Sequence, residues 1–250
     1  RQMCIRDSSM AVYVMSDVHG LKDRYDRMME NIHEEDTLYI LGDVIDRGPD
    51  GIVILQDVMQ RSNVKMLMGN HEYMMLQYYQ ALKDEKMDLY DKMLILDRWQ
   101  RNHCQVTIAQ FQKLTIKEQE EILSYLADLP LAYCDVHVQE QQYYLVHGYP
   151  CMQFQSGCVR MKDLEDTEVC VEDFVWERIE KDEAFFNDRC VILGHTPTLY
   201  LQDSRPYTIW TGNRSIKDAH VINIDCGCAA NNAYTQLALL RLDDRKVFYF

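Results

Sequence analysis

The sequence lacks two features that would assign it to a membrane or a nucleic acid. No apolar run approaches the roughly 18 residues that a membrane-spanning helix needs, so no membrane partner is expected. Positive charge is scarce, since 26 Lys and Arg residues stand against 40 Asp and Glu residues and the formal net charge is -14. A nucleic-acid backbone calls for a concentrated positive surface, so no nucleic-acid partner is predicted. A small anionic ligand stays possible, because bound metal cations would reverse the local charge.

Cysteine is present but in no pattern that forms a known framework. The nine cysteines are odd in number and scattered, and no Cys-x-x-Cys pair occurs, so a zinc knuckle is not indicated. Cys134 and Cys190 lie in apolar, strand-like runs, where a free thiol behaves as a small hydrophobic side chain. This usage predicts a reducing compartment, and we expect the cytoplasm.

The chain shows no internal repeat, low-complexity tract or Pro/Ser-rich linker, so we predict one continuous domain over residues 10–250. Residues 1–9 differ from the rest, and Met10 opens directly into a strand-like run. We interpret Met10 as the natural start of translation and residues 1–9 as a non-native tail. A disordered native tail is the alternative.

The first third of the chain alternates strand and helix signals. Short apolar runs at 11–15, 38–41 and 64–68 predict buried strands, and helix-like composition at 21–34 and 50–61 separates them. This alternation predicts an α/β fold with parallel strands and helices packed on the sheet. Each strand-like run is followed by a polar turn that contains glycine, and such turns meet at the carboxyl edge of a sheet.

The middle of the chain predicts a helical insert at about 72–129. Residues 72–128 contain neither Gly nor Pro and are rich in Leu, Met, Gln, Glu and Lys, and Pro130 ends the segment. Beyond it we predict a hairpin, a helix and five further strands, the last three forming an antiparallel meander. The hairpin is predicted at 131–138 and 142–146, the helix at 171–181, and the strands at 190–193, 207–210, 220–224, 235–240 and 246–250.

Two of the polar turns place carboxylates beside groups that favour metal or phosphate. Asp17 and His19 stand two apart, so they project to one side of an extended segment and can hold one divalent cation. In the second turn Asp43 and Asp46 accompany Arg47, whose planar fork suits phosphate oxygens. Taken alone, an Asp-x-His triplet is usually solvated polar surface, and the second turn could equally be a surface turn with an Asp–Arg ion pair.

Three later turns add nitrogen ligands and one amide. Asn70 offers a carbonyl oxygen, and the adjacent His71 can act as ligand or general acid, although Asn70 could also simply cap a helix. His147 and His195 each end a strand-like run beside a glycine. Together the turns supply two carboxylates, three imidazoles and one amide, a set that favours Mn, Fe or Zn and suits two cations about 3.5–4 Å apart. The predicted ligands are Asp17, His19, Asp43, Asn70, His147 and His195.

These motifs, in this order and spacing, resemble those of the phosphoprotein phosphatase (PPP) family of calcineurin-like metallophosphoesterases. The long helical segment and short C-terminal part are similar to a compact, bacterial-type serine/threonine protein phosphatase. The resemblance implies two mixed β-sheets sandwiched between helices, in four αββα layers, with a helical insert. The motifs that carry it are Asp17–Gly20, Gly42–Gly48, Gly69–Glu72, His147–Gly148, Gly194–Thr196 and, with a structural role, Ile224–Cys228.

The resemblance also implies roles. Asp17 and His19 would hold one metal, with Mn expected and Fe or Zn possible, and Asn70, His147 and His195 would hold the other, with Asp43 bridging. His71, oriented by Asp46, would protonate the leaving oxygen while a bridging hydroxide attacks phosphorus. Arg47 would bind phosphoryl oxygens, and Arg178 is preferred over Arg160 as a second such arginine. The catalytic residues predicted in this way are His71, Asp46, Arg47 and Arg178.

The motifs leave the substrate open. A phosphomonoesterase that acts on phosphoserine and phosphothreonine in proteins is the leading hypothesis, and a symmetrical diadenosine tetraphosphate hydrolase is the alternative. Tyr78, Tyr79 or Trp99 could line base pockets for a dinucleotide, but they are typical core residues. A catalytically silent binding protein would have lost ligands, and none is missing. A phosphodiesterase or nuclease is disfavoured by Asp46-Arg47 and the acidic balance. No Cys-x5-Arg loop supports thiol-based phosphatase chemistry.

Overall fold

The structure is a computed structural model that describes residues 10–250, and the prediction made for residues 1–9 lies outside this range. Within it, strands and helices alternate as the sequence predicts for an α/β protein. The strands are β1 Val12–Met15, β2 Thr37–Ile40, β3 Val64–Met66, β4 Ala132–Val138, β5 Gln141–Val146, β6 Cys158–Val159, β7 Cys190–Leu193, β8 Val221–Asn223, β9 Ala238–Arg241 and β10 Lys246–Tyr249. The helices are α1 Lys22–Met29, α2 Gly51–Gln60, α3 Asn70–Lys83, α4 Leu89–Arg101, α5 Gln105–Phe111, α6 Ile116–Ala127 and α7 Val171–Val175.

The strands form two mixed sheets of five strands each. The first has the order β10-β9-β1-β2-β3, in which β1, β2 and β3 run parallel and β9 runs antiparallel to both β1 and β10. The second has the order β6-β4-β5-β7-β8, in which β5, β7 and β8 run parallel and β4 runs antiparallel to β5 and β6. The predicted hairpin is therefore confirmed as β4–β5.

Alternation along the strands explains why the sheets stack face to face. Successive side chains of a strand point to opposite faces. Val14 of β1 and Ile192 of β7 belong to one buried cluster that draws residues from both sheets. Their neighbours Tyr13 and Val191 belong to a second cluster, which includes helical residues such as Leu55 of α2. Each sheet thus has one face toward the other sheet and one toward helices, and the predicted four-layer αββα fold is confirmed.

Three predictions for the second half of the chain are wrong. The helix predicted at 171–181 ends at Val175, because the backbone beyond it turns toward the loop after β7. Residues 207–210 form no strand and contribute a single bridge between Trp210 and Asn223. The predicted meander fails because Val221–Asn223 pairs parallel with β7 in the second sheet. Its three residues are all buried, a pattern typical of inner parallel strands, but hydrophobicity alone does not say which sheet a strand joins.

Helices α3 to α6 follow β3 directly and occupy residues 70–127. Trp99 of α4 and Phe111 of α5 are buried in the same cluster as the first sheet's helix-facing residues. Within residues 10–250, none of the helices is long and apolar enough to cross a bilayer.

Candidate metal centre

Five loops that follow parallel strands of both sheets bring the predicted ligands together. Asp17 follows β1, Asp43 follows β2 and Asn70 follows β3, all in the first sheet, while His147 follows β5 and His195 follows β7 in the second. All five side chains are buried, with at most 5% of their surface exposed. Parallel strands end at a common edge, so the topology itself accounts for this convergence.

Asp43 lies at the middle of the group. Its Oδ2 is 3.5 Å from His19 Nε2, 3.4 Å from His147 Nε2 and 3.9 Å from His71 Nε2. His19, Asp43 and His71 offer ligand atoms within 4.8 Å of one another, and so do Asp43, His147 and His195. Because Asp43 belongs to both sets and a carboxylate has two oxygens, it is placed to contact two cations.

Backbone carbonyls orient the imidazole rings. His19 Nδ1 donates to Ile45 O at 2.9 Å and His147 Nδ1 donates to Leu41 O at 2.8 Å, since a carbonyl can only accept. Nε2 of both rings therefore faces Asp43. His195 is turned the other way, with Nε2 at 3.2 Å from Trp176 O, and it presents Nδ1 instead. Contacts of this kind fix the tautomer of metal-binding histidines.

The remaining predicted ligands, Asn70 and Asp17, add side-chain oxygens to the same group. Asn70 Oδ1 lies 3.0 Å from His147 Nε2, so amide and ring face the same point. Asp17 Oδ2 accepts the backbone N–H of His195 at 3.1 Å and the hydroxyl of Ser16, while Oδ1 lies 3.9 Å from His19 Nε2. Burial raises the pKa of Asp17, and the nearby Asp43 carboxylate raises it further.

The charge states also suit cations. Burial disfavours the charged form of Asp43, but His147 and His71 outweigh it and hold the pKa of Asp43 well below its usual range. Burial opposes the charged form of His147 too, and Asp43 outweighs it, raising the pKa of His147 to about 9, so a cation bound at Nε2 would displace a proton. Burial lowers the pKa of His19 and of His195 well below the ordinary value, so both rings are neutral donors. Buried carboxylates beside neutral imidazoles fit divalent metals of the Mn, Fe and Zn type.

The loops hold this arrangement in unusual backbone conformations. Six predicted site residues have positive φ, a region that side-chain-bearing residues seldom adopt and that costs about 1–3 kcal/mol each. Strain of this size persists where the surrounding structure holds it, and it concentrates at functional sites. The residues and their φ values are Asp17 57°, His19 45°, Asp43 55°, Asp46 68°, Arg47 67° and His195 62°.

Glu72 joins two of the metal-centre loops from inside. It is fully buried, and its carboxylate accepts the backbone N–H groups of Asp43 at 2.8 Å, Val44 at 2.8 Å and Gly69 at 3.1 Å. Burial raises the pKa of Glu72 to about 7, and these N–H groups oppose the rise. Glu72 thus fastens the loop after β2 to the loop after β3.

A second buried pair stands beside the metal-ligand group. His71 Nδ1 lies 2.6 Å from Asp46 Oδ2, and that oxygen also accepts Trp99 Nε1–H at 2.8 Å. Burial lowers the pKa of His71, but Asp43 and Asp46 outweigh it and the net shift is upward. The ring of His71 is thus held by Asp46, and its Nε2 faces Asp43 and the cavity.

A cavity of about 580 Å³ opens over the centre. Arg47 and Arg178 line it together, and Arg178 Nη1 donates to His195 O at 3.0 Å. Arg160, the rival candidate, is not among the cavity residues and instead donates to Asp128 O at 3.1 Å. Apolar and aromatic residues also line the cavity. They are Trp176, Ile179, Pro197, Tyr200 and Leu201.

Two further contributions were missed at the sequence level. Asp225 is 4% exposed and lines the cavity, although we predict only a structural role for its segment. Burial and the neighbouring Asp17 raise the pKa of Asp225 well above its usual range. Trp99 contacts Asp46, whereas the sequence suggests core packing or a base pocket. Tyr78 and Tyr79 pack against Trp99, with ring centroids 5.5 and 6.2 Å away, and do not line the cavity.

The two stacked sheets and the buried centre of carboxylates, imidazoles and an amide, set beside two arginines, agree with the resemblance to calcineurin-like metallophosphoesterases. The chain belongs to the calcineurin-like phosphoesterase family, whose match covers residues 10–225. Members of this family use a dinuclear divalent metal centre, and the converging Asp, His and Asn residues fit one.

The chain is similar to bacterial proteins named bis(5'-nucleosyl)-tetraphosphatase, symmetrical. The one from Delftia acidovorans is 26% identical over 151 residues, which is 59% of this chain and 47% of that protein. The one from Acidovorax ebreus is 33% identical over 95 residues, 36% of this chain and 34% of that protein. The matches thus span about half or less of the length of these relatives.

Solved structures agree on the fold. A Saccharomyces cerevisiae protein serine/threonine phosphatase with similarity to human phosphatase PP5 superposes with a TM-score of 0.57 at 12% identity, covering 96% of this chain and 79% of that one. A metallophosphoesterase from Sphaerobacter thermophilus superposes with a TM-score of 0.52 at 16% identity, covering 96% and 86%. At these identities the likeness concerns the fold alone.

Proposed function

We propose that the protein hydrolyses dinucleoside polyphosphates, cleaving a compound such as diadenosine tetraphosphate symmetrically into two nucleoside diphosphates. The observation that carries this proposal is the composition of the cavity, which is lined by two arginines, the ligand cluster and several apolar and aromatic residues. Arginines favour phosphates, and a nucleobase can stack on an aromatic ring. The names of the similar bacterial proteins support the same substrate class.

We assign the metal-holding roles to the six converging residues, with Asp43 shared, and propose Mn as the metal, with Fe or Zn as alternatives. The metals would supply Lewis acidity, which makes water more acidic and offsets charge on the phosphate. The ligands are Asp17, His19, Asp43, Asn70, His147 and His195.

The other residues bind and move protons. Arg47 and Arg178 bind phosphoryl oxygens and hold the polyphosphate so that the scissile phosphorus faces the buried ligands. Water supplies the new oxygen on phosphorus as the bond to the leaving oxygen breaks. His71 Nε2, which faces the cavity, is placed to give a proton to a leaving oxygen that needs one. Asp46 holds the ring of His71 through the contact at 2.6 Å.

Removal of phosphate from phosphoserine and phosphothreonine is the second candidate, and the His71–Asp46 pair favours it. A nucleoside diphosphate leaves readily, because phosphate oxygens have a pKa near ~6 and need no proton at neutral pH. A serine alkoxide is a far poorer leaving group and requires one. A buried, oriented histidine beside the phosphate site is therefore most useful for an alkyl ester.

Turnover of diadenosine tetraphosphate and of a phosphoserine peptide, measured side by side with Mn added, separates the two candidates. We expect the dinucleotide to have the higher kcat/KM. Asp43→Asn should lower both activities at least about 100-fold, since it removes the shared ligand. A preference for the peptide would overturn the dinucleotide proposal while keeping the hydrolase, and activity on neither would overturn both.

A pair of exposed tyrosines tests whether a base stacks on the cavity lining. Tyr200 is 72% exposed and lines the cavity, whereas Tyr90 is 70% exposed on α4 and does not line it. If a base stacks on Tyr200, Tyr200→Ala should raise KM for the dinucleotide about tenfold, because base–aromatic stacking contributes roughly 1–3 kcal/mol. Tyr90→Ala should leave KM unchanged. Equal KM values in both variants would remove base stacking on Tyr200 from the proposal.

A further inference from the structure

The helical insert holds the loop that carries Asp46 and Arg47 at three points. Trp99 Nε1–H donates to Asp46 Oδ2 at 2.8 Å, and Thr107 Oγ1 accepts the backbone N–H of Asp46 at 3.0 Å. The backbone N–H of Arg47 donates to His103 O at 3.1 Å. The three contacts come from α4, from α5 and from the turn between them. A segment that follows β3 therefore fastens a loop that follows β2.

The contact from Trp99 falls on the oxygen that orients His71. Asp46 is completely buried, and its Oδ2 takes both the Trp99 donor and His71 Nδ1, while Oδ1 has no partner among the described residues. A carboxylate held at one oxygen by a single flexible neighbour can swing about its χ2 torsion. With the indole N–H on the same oxygen, the carboxylate plane is set, and so is the direction in which His71 points.

Trp99 is itself held rigidly. Its side chain is fully buried, and its ring lies 5.5 Å from that of Tyr78 and 6.2 Å from that of Tyr79. Packing fixes the indole, so its N–H is a fixed donor rather than one that adapts to Asp46. A rigid outer contact that orients a reacting side chain is the arrangement that precise proton transfer requires.

We propose that Trp99 is a positioning residue for the His71 proton donor, acting through Asp46. This inference rests on the proposed hydrolase function, and its effect on turnover is expected for a phosphate ester whose leaving oxygen needs a proton. The helical insert would then contribute to the reaction by orienting His71. The insert contributes no metal ligand in this assignment, and its effect is on the protonation of the leaving oxygen.

Trp99→Phe tests the proposal, because it removes the indole N–H and keeps an aromatic ring. A positioning role predicts an effect that depends on the leaving group, since only a poor leaving group needs the proton. In the Mn-loaded protein we expect kcat on a phosphoserine peptide to fall about tenfold and kcat on 4-nitrophenyl phosphate to change by less than about twofold. An equal loss on both substrates would indicate a merely structural role and would overturn the proposal.

Tyr79→Phe is the matched control. It removes a polar hydrogen from the same aromatic cluster, and the Tyr79 hydroxyl has no hydrogen-bond partner among the described residues. Neither kcat should change. A double-mutant cycle with Asp46→Asn adds a second requirement. If Trp99 acts through Asp46, Trp99→Phe has little further effect in the Asp46→Asn background, and simple additivity would contradict this.

A spectroscopic test does not depend on turnover. In a 15N–1H spectrum of the full chain, the Trp99 indole N–H resonance should shift when Asp46 becomes Asn, and the Trp210 indole resonance should stay in place. An unmoved Trp99 resonance would overturn the contact, even in a protein that hydrolyses none of the substrates. Inactivity of the unaltered protein together with a shifted resonance would keep the contact and refute the hydrolase function.

Discussion

At the scale of single residues, the centre depends on buried polar groups that do more than one task. Glu72 caps helix α3 through Gly69 and at the same time fastens the loop that carries Asp43. A carboxylate in this position satisfies backbone N–H groups that would otherwise be buried without partners. The cost is its own burial, which raises its pKa to about 7. Burial of this carboxyl group is unfavourable by itself, but the group fixes the loops after β2 and β3 relative to each other.

Glu72→Gln should destabilise the protein and loosen the metal site. In the unaltered protein two carboxylate oxygens accept these N–H groups, and Gln offers only one acceptor oxygen. We therefore expect a loss of about 1–3 kcal/mol in the free energy of unfolding. Metal affinity should fall about 10–100-fold, as for other residues that orient ligands. Chemical denaturation and metal titration measure the two effects.

Glu118 provides the matched control, because it forms the same capping contact with Thr115 at the start of α6 on the protein surface. Glu118→Gln should change neither metal affinity nor, beyond a slight loss, stability. Equal effects of the two substitutions on metal affinity would mean that Glu72 acts only as a helix cap.

At the scale of elements, the loops after β2 and β3 approach each other closely enough to demand glycine. Gly42 has φ of 104°, and a Cβ placed on it would lie 2.5 Å from Gly69 N. Gly157 also has positive φ, at 72°, but a Cβ there would meet nothing within 4 Å. Conformational strain and steric contact can therefore be separated at these two positions.

Gly157→Ala should cost about 1–2 kcal/mol, which is the cost of a left-handed conformation alone. Gly42→Ala should cost more and should weaken metal binding, because the loops that hold Asp43 and Asn70 must move apart. Thermal unfolding and metal titration of both variants test this. A Gly42→Ala protein with unaltered metal affinity would contradict the close approach.

Helices α1 and α2 are linked by a charged contact with a defined pH dependence. Asp57 of α2 accepts Tyr25 O–H of α1 at 2.7 Å and Arg61 Nε–H at 2.7 Å. Burial raises the pKa of Asp57, but these donors outweigh it and the net shift is downward. A lowered folded pKa means that the charged form stabilises the fold above the ordinary Asp pKa, and that this stability disappears as pH falls through the folded pKa.

Asp57→Asn should therefore cost less than about 1 kcal/mol at neutral pH, because the pair is more than a third exposed. The difference from the unaltered protein should vanish below the usual titration range of Asp, near pH ~4. Denaturation at a series of pH values measures it, with Asp26→Asn in the exposed Lys22 pair as the control. A difference that grows on acidification would have the wrong sign.

At the scale of the whole molecule, the centre spans the two sheets. Asp17, Asp43 and Asn70 come from the first sheet, and His147 and His195 come from the second. Bound cations would hold the sheets together and offset the buried carboxylates. Binding to the folded state adds stability by mass action, about 2.7 kcal/mol when the metal is at 100 times its Kd.

Chelation should consequently lower Tm by about 5–10 °C, given roughly 2–4 °C per kcal/mol for a chain of this size. Addition of Mn should restore it. Differential scanning calorimetry before and after chelation, repeated with Asp43→Asn, measures the effect. An Asp43→Asn protein whose Tm responds to Mn as strongly as the unaltered protein would contradict the assignment of Asp43 as the shared ligand.

Much of the fold and site follows from local pattern. Short apolar runs predict the buried strands and so the α/β class. Each ligand-bearing turn follows such a run directly and contains a glycine, so the convergence of these turns at the edge of a sheet is predictable too. The failures are long-range. Residues 171–181 have helical composition, yet the backbone leaves the helix at Trp176 to meet His195. Val221–Asn223 joins the second sheet because of pairing with a strand about 30 residues earlier, which periodicity does not encode.

The sequence by itself determined which residue types stand at the strand ends, because chemistry and turn conformation are local properties. Only the tertiary structure decided which of these residues lie close to one another. It places Asp43 between two sets of ligands, brings Arg178 rather than Arg160 to the cavity, and aims Glu72 and Trp99 at loops distant in sequence. These relations join segments that lie from 17 residues apart, for Arg178 and His195, to 152 residues apart, for Asp43 and His195. They are set when the two sheets stack, because stacking brings loops from separate parts of the chain into one site.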